Sequence, residues 1–208
     1  MNRAAALVLL NGEIPEPALA RRAARRCGAI ICADGGLRHV RALGLRADFV
    51  VGDMDSLPRR LPRDSRTAYW CDFDEDRSDF EKALSFAADL GCSRVYVAGA
   101  LGGRTDHALV NLGVVERHAA KLDLVLLDRG AARLLGPGRY RLALGRGRFS
   151  LSARPRALVT LSGARYSLKR FTLTAGSRGL GNAARGDVTL TVHTGRVWLI
   201  ADRPPAAW

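Results

Sequence analysis

Two carboxylates one residue apart, Asp53 and Asp55, follow an apolar run, Phe49 to Val51, that reads as a buried strand. Alternation along an extended chain puts both on one side, where like charges repel unless a cation or a proton is shared. A hard ion such as Mg²⁺, which takes oxygen ligands and often bridges a protein carboxylate to a substrate phosphate, resolves that conflict. Gly52 lets the backbone approach a ligand closely, and Ser56 and Pro58 end the segment. The other reading of these residues is a polar turn in which Asp55 caps the next segment.

Further stretches carry related chemistry. Asp34-Gly35-Gly36 follows the β-rich run Gly28 to Ala33 and precedes a predicted helix, Leu37 to Leu43, a junction where backbone amides and a helix start face a ligand. A plain tight turn also explains it. Five acidic residues fall within the eight positions Asp72 to Asp79. Ser78 with Glu81 then forms a capping box, with Phe80, Ala83, Leu84, Ala87 and Ala88 on one face of the helix it starts. Asp79 alone suits a helix dipole, but the cluster exceeds what one helix end needs, and a cation would relieve its repulsion. Gly99 to His107 is a glycine-rich loop leading into a helix from Thr105 to Ala120. Arg104 there suits phosphate or a pair with Asp106, and His107 and Asn111, four apart, share a face.

These residues need elements to hold them. Strands are predicted at Ala5–Leu10, Gly28–Ala33, Asp48–Val51, Arg66–Trp70, Arg94–Ala98 and Leu122–Leu127, with an opening helix over Pro17–Arg26 that presents Arg21, Arg22, Arg25 and Arg26 to solvent. Strands alternating with helices imply an α/β fold with a parallel sheet covered on both faces and ligands beyond its carboxyl ends, where the candidate residues all lie. After Arg133 the pattern becomes short alternating strands, around Tyr140–Leu144, Phe149–Leu151 and Val188–Val192, broken by Gly and Pro. The expected organisation is an α/β domain over 1–132 and an antiparallel β-sandwich over 133–208, with Gly136-Pro137-Gly138 punctuating the change. Ser177 to Asn182 reads as a loop. Trp198, in the last strand, is either core or a face for stacking.

With 48% apolar and 25% charged residues the composition is that of a soluble globular protein, and no apolar run approaches the ~20 residues needed to span a bilayer. Met1-Asn2-Arg3 and the apolar stretch after it imitate a signal peptide but read better as the lead into a core strand. Cys27, Cys32, Cys71 and Cys92 show no C-x-x-C spacing and read as reduced thiols of a cytoplasmic protein. The net charge of +13 is uneven: residues 1–130 hold 19 basic and 18 acidic side chains, residues 131–208 hold 14 and 2. Such a basic half attracts nucleic acid, an anionic membrane or a polyphosphate.

Together, Ala33-Asp34-Gly35-Gly36, Gly52-Asp53-Met54-Asp55-Ser56, Asp76 to Leu84 and Gly99 to Leu112 resemble the thiamine pyrophosphokinase (thiamine diphosphokinase) family. The resemblance implies a nucleotide-binding α/β domain, a C-terminal β-sandwich and a homodimer with thiamine bound between subunits. It implies transfer of the diphosphate of ATP to the thiamine hydroxyl with release of AMP. By resemblance Asp53, Asp55 and Asp76 hold Mg²⁺, and Asp34, Gly35, Gly36, Arg104, Thr105, His107 and Asn111 serve the nucleotide. Glu75, Asn182 and Trp198 serve thiamine, while Asp53, Asp55, Asp79, Arg104 and Asp106 form the catalytic set. This chain has Ser78 where the family usually has Thr, Met54 where it has Phe, and Gly181 where it has Ser. Related enzymes share the acidic motifs and act on a hydroxymethyl pterin. A basic nucleic-acid-binding protein leaves the acidic clusters unexplained, so nucleic acid is not the expected partner.

Overall fold

Short runs rich in Val, Leu, Ile and Ala form a parallel sheet: β1 (Ala5–Leu9), β2 (Ala29–Ala33), β3 (Phe49–Gly52), β4 (Ala68–Cys71), β5 (Arg94–Ala98) and β6 (Asp123–Leu127). Their order is β6-β5-β1-β2-β3-β4, and every neighbouring pair is parallel. Leu7, Val8, Leu9, Ile31, Val50, Val95 and Val97 are wholly buried, as strands covered on both faces require. The computed structural model describes residues 4–57, 66–203 and 208. Pro58 and Met1-Asn2-Arg3, invoked above, lie outside them.

Between the strands run α1 (Pro17–Ala24), a 3₁₀ turn (Asp34–Arg38) leading into α2 (His39–Leu43), α3 (Asp79–Asp89) and α4 (Thr105–His118). The 3₁₀ turn replaces the first part of the helix predicted from Leu37, because Asp34 takes a left-handed φ of +37° and Gly36 lies so close to the Leu9 carbonyl that a Cβ would overlap it. At the α3 start half of the predicted capping box forms, the Ser78 hydroxyl accepting from the Glu81 amide at 3.3 Å, while the Glu81 carboxylate turns away to Arg117. The buried face of α3 differs. Ala88 is exposed, while Glu81 and Lys82 are buried. Partners make this tolerable: Glu81 accepts from Arg117 at 2.8 Å, and Lys82 Nζ donates to the Asp72 carbonyl at 2.8 Å.

The chain divides into compact units at Met1–Asp128 and Arg129–Trp208. A boundary after residue 132 would cut β7 (Ala131–Leu135), every residue of which pairs antiparallel with β11 (Asn182–Ala201). The second unit also holds β8 (Gly138–Leu142), β9 (Arg148–Ala164) and β10 (Leu168–Thr174). The short strands expected here are parts of longer ones, β9 running for 17 residues and β11 for 20. As β11 advances from Thr189 to Ala201 its partners on β9 fall from Ser162 to Phe149, so the two run in opposite directions over this span. Phe149 is partnered by both Asn182 and Ala201, so β11 bends until its two ends meet the same residue. Phe149, Leu151, Val159, Leu161, Val188, Leu190 and Leu199 build this unit's core. The fold is therefore mixed α/β. All four cysteines are free thiols, and among the described residues no helix is long and apolar enough to cross a membrane.

Candidate active site

Loops following β1, β2, β3 and β5 line a cleft of about 670 Å³ in the first unit, with Asn11, Gly12, Gly35, Asp53, Gly102 and Arg104 on its walls. β5 lies on the opposite side of β1 from β2 and β3, and such a reversal opens a crevice at the strand ends. There the loops meet backbone to backbone. A Cβ on Gly12 would overlap the Gly99 and Gly102 carbonyls. Arg38 Nη2 donates to the Asn11 carbonyl at 2.5 Å, and His39 Nε2 lies 2.8 Å from the Gly12 carbonyl. In sequence this segment looks like an ordinary turn after a strand.

At the foot of the cleft Asp34, Asp53 and Asp55 bring carboxylate oxygens within 4.8 Å of one another. Asp34 is 1% exposed; its Oδ2 accepts from the Ser56 amide at 2.9 Å, whereas Oδ1 has no hydrogen-bond partner, unlike every other buried side-chain polar atom among the described residues. Asp53 Oδ1 accepts from the Asp55 amide at 3.2 Å, and Asp55 Oδ1 accepts from the Ser56 hydroxyl at 2.9 Å. That hydroxyl holds the Asp55 carboxyl below its usual range. Burial pushes Asp34 up, the Ser56 amide opposing and Asp79 reinforcing. Burial likewise raises Asp79, with Lys82 opposing and Asp53 reinforcing. One buried carboxylate with an orphaned oxygen, close to two more exposed carboxylates that repel it, suits a hard divalent cation. The third member of the group is Asp34; Asp76, expected as a metal ligand, is exposed and lies outside it.

Beside any cation that would relieve its repulsion, the acidic loop before α3 carries basic partners of its own. Arg77 Nε lies 2.7 Å from Asp74 Oδ2 and its Nη2 lies 2.9 Å from Asp72 Oδ2. Lys82 Nζ stands 3.5 Å from Asp79 Oδ1. Among the described residues no cationic side chain pairs with Glu75 or Asp76. Lys82, missed in the sequence, lines the cleft; its place facing Asp72 depends on a fold that sequence spacing does not reveal.

Arg104 grips Asp106 through two bonds, 3.1 and 2.6 Å, so of the partners expected for it the structure holds the carboxylate. The guanidinium pulls the Asp106 carboxyl down to about 2, and Asp106 raises Arg104 in return. His107 and Thr105 are exposed, and Asn111 is buried with its amide donating to the Ala100 carbonyl at 2.8 Å, which ties the glycine-rich loop to α4.

Asn182 and Trp198 belong to the second unit. The Asn182 side chain is committed to backbone: Oδ1 accepts from the amides of Tyr166 (3.0 Å) and Ala183 (2.9 Å), and Nδ2 donates to the Tyr166 carbonyl (2.9 Å). Trp198 is 3% exposed on β11. Gly181 stands at φ +68°, where glycine is favoured, and its amide donates to the Ser150 hydroxyl at 3.0 Å.

Clustered carboxylates at the ends of parallel strands, beside a glycine-lined cleft and an arginine-bearing helix start, define an α/β protein suited to a phosphate-bearing ligand. Residues 20–126, just over half of the chain, match the family model described as the thiamin pyrophosphokinase catalytic domain. The chain belongs to the thiamin pyrophosphokinase family. It is similar to thiamine pyrophosphokinase 2 of Arabidopsis thaliana, 31% identical over a 159-residue alignment that covers 62% of this chain and 57% of that protein. It is also similar to the thiamine pyrophosphokinase of Bacillus subtilis, 24% identical over 160 residues, 72% of this chain and 71% of that one. The chain thus spans 57% and 58% of the length of its Arabidopsis and rice relatives. The crystal structure of the Bacillus subtilis thiamine pyrophosphokinase superposes with a TM-score of 0.81 at 20% identity, covering 96% of this chain and 99% of that one. The thiamin pyrophosphokinase from Candida albicans gives 0.74 at 16% identity, covering 96% and 89%. At such identities the likeness is one of fold.

Proposed function

We propose that the chain is a thiamine diphosphokinase, moving the diphosphate of Mg²⁺-bound ATP to the hydroxyl of thiamine and releasing AMP. The orphaned Oδ1 of Asp34, converging with Asp53 and Asp55 at the cleft foot, carries this reading. Asp34, Asp53 and Asp55 would hold Mg²⁺, with the exposed Asp76 available beside the cleft. Bound there, the ion supplies positive charge against the triphosphate.

The chain's own groups do the positioning on which diphosphate transfer depends. Gly35 and Gly36 bring backbone up to the nucleotide, and His107 and Asn111 line its side of the cleft, with Thr105 beside them at the start of α4. Arg104, which Asp106 holds at the rim, turns to the phosphates. Asp79, made more basic by burial, takes the proton from the attacking hydroxyl at its carboxylate. Glu75 faces thiamine in a homodimer whose second unit is a β-sandwich, while Asn182, bonded to backbone, and the buried Trp198 shape the thiamine side from behind; the alternating burial of β9 and β11 supports the sandwich. Four free thiols support a reducing, cytoplasmic setting. Incubation with ATP, Mg²⁺ and thiamine should yield AMP and thiamine diphosphate in equal amounts, with little product from a hydroxymethyl pterin and none in chelator. Absence of AMP release with thiamine would remove the proposal.

A further inference from the structure

We infer that Phe73 is a stacking platform for the cationic heteroaromatic ring of the acceptor substrate, and so sets which acceptors the cleft takes. This rests on the thiamine diphosphokinase reading and adds a residue to it.

Phe73 is 74% exposed, more than any other large apolar side chain among the described residues, yet it lines the cleft. An aromatic ring left in water on a loose loop would be unremarkable. This loop is tightly bonded. The carboxylates on either side of Phe73, Asp72 and Asp74, are both held by the Arg77 guanidinium, at 2.9 and 2.7 Å. The Asp72 amide donates to the Gly52 carbonyl at 2.9 Å, and the Asp72 carbonyl accepts from Lys82 at 2.8 Å. The Asp74 amide donates to Asp72 Oδ1 at 3.1 Å and the Asp76 amide to Asp74 Oδ1 at 3.0 Å. A ring presented on a fixed loop loses little freedom when a flat ligand covers it.

Local charge selects the kind of ring. Glu75 and Asp76, two and three residues on, are exposed and lack a cationic partner among the described residues. A cation over the phenyl face is attracted by the ring and by these carboxylates, whereas a neutral purine gains only the stacking. The thiazolium of thiamine is flat and permanently cationic.

The test compares wild type with Phe73→Leu, which keeps apolar bulk without the ring, and Phe73→Tyr, which keeps the ring. In steady-state AMP release, Phe73→Leu should raise KM for thiamine about tenfold while kcat and KM for ATP stay within about twofold, and Phe73→Tyr should restore wild-type values. An unchanged thiamine KM, or a rise confined to ATP, overturns the inference and leaves the diphosphokinase reading standing. If wild type makes no thiamine diphosphate, that reading falls, and calorimetry with an N-methylated thiazolium alcohol and its uncharged thiazole parent still decides the platform. Preference for the charged ligand that is lost in Phe73→Leu supports it; equal binding of the pair to wild type overturns it.

Discussion

A Cβ on Gly52 would stand 2.9 Å from the Asp34 Cβ and 2.9 Å from Asp79 Oδ1, at a φ of +152° that side chains rarely adopt. The missing side chain is what lets carboxylates from β2, β3 and α3 converge. Gly52→Ala should therefore cost about 1–3 kcal/mol of stability, read by thermal melting, and lower AMP release by roughly 100-fold or more. Gly91, also at positive φ but with nothing within 4 Å of its Cβ position, is the control: alanine there should cost stability through backbone strain and leave turnover intact. The raised carboxyls of Asp34 and Asp79 give a second expectation. An acid whose folded pKa lies above its unfolded value, here 3.8, stabilises the fold below that value, and the contribution is lost as pH rises through the folded pKa. Ion-free protein should lose stability as pH rises from about 4, the unfolded carboxyl value, and Mg²⁺ should raise Tm more at pH 7 than at pH 4. An equal Mg²⁺ shift at both values would exclude these carboxylates as the ion's ligands.

α3 starts with Asp79 in the cleft and is anchored by two kinds of contact whose magnitudes differ. Leu84 is wholly buried, so Leu84→Ala should cost about 2–5 kcal/mol. Arg117 reaches Glu81 at 2.8 Å, but its side chain is 68% exposed, and Arg117→Ala should cost less than about 1 kcal/mol after solvent screening. Denaturant titration of the two variants checks the order, and a reversal would mean that the α3–α4 ion pair, not the core, holds the helix. The strands give a chemical counterpart. β4 is exposed along its length and ends in the exposed Cys71, whereas burial raises the Cys27 and Cys32 thiols to about 12 each, with Cys92 adding to the first and Asp48 to the second. At pH 8 fewer than roughly one in a thousand of those two is thiolate, so iodoacetamide should alkylate Cys71 and spare them, as mass spectrometry would show.

Across the molecule, what the sequence reveals is what is local. Apolar runs mark the parallel strands, Ser78 with Glu81 marks the α3 cap, and the Asp34 and Asp53 motifs stand where strands end. What it hides depends on distant partners. Glu81 and Lys82 look like surface residues until Arg117 and the Asp72 carbonyl are in place. Gly163, one residue before the end of β9, has a φ of +76°, and a Cβ there would overlap the Asp187 carbonyl of the neighbouring strand, a close approach that sequence does not show. The bonds that hold the Asn182 side chain on the Tyr166 backbone are equally invisible in sequence. Net charge is likewise legible without its purpose. Both acids of residues 131–208 are already paired, Asp187 with Arg141 at 3.2 Å and Asp202 with Arg148 at 3.1 Å, all exposed, so carboxylates leave most of this half's positive charge unbalanced and its field diffuse. Attraction to nucleic acid through such a field releases counterions and falls steeply with salt. Raising salt from about 50 to 200 mM should abolish most duplex DNA retention, by at least about tenfold, while AMP release at saturating Mg²⁺ and ATP changes less than about twofold. Tight, sequence-selective DNA binding that survives the higher salt would assign the basic half a role of its own, because a charge field without base contacts has no means of choosing a sequence.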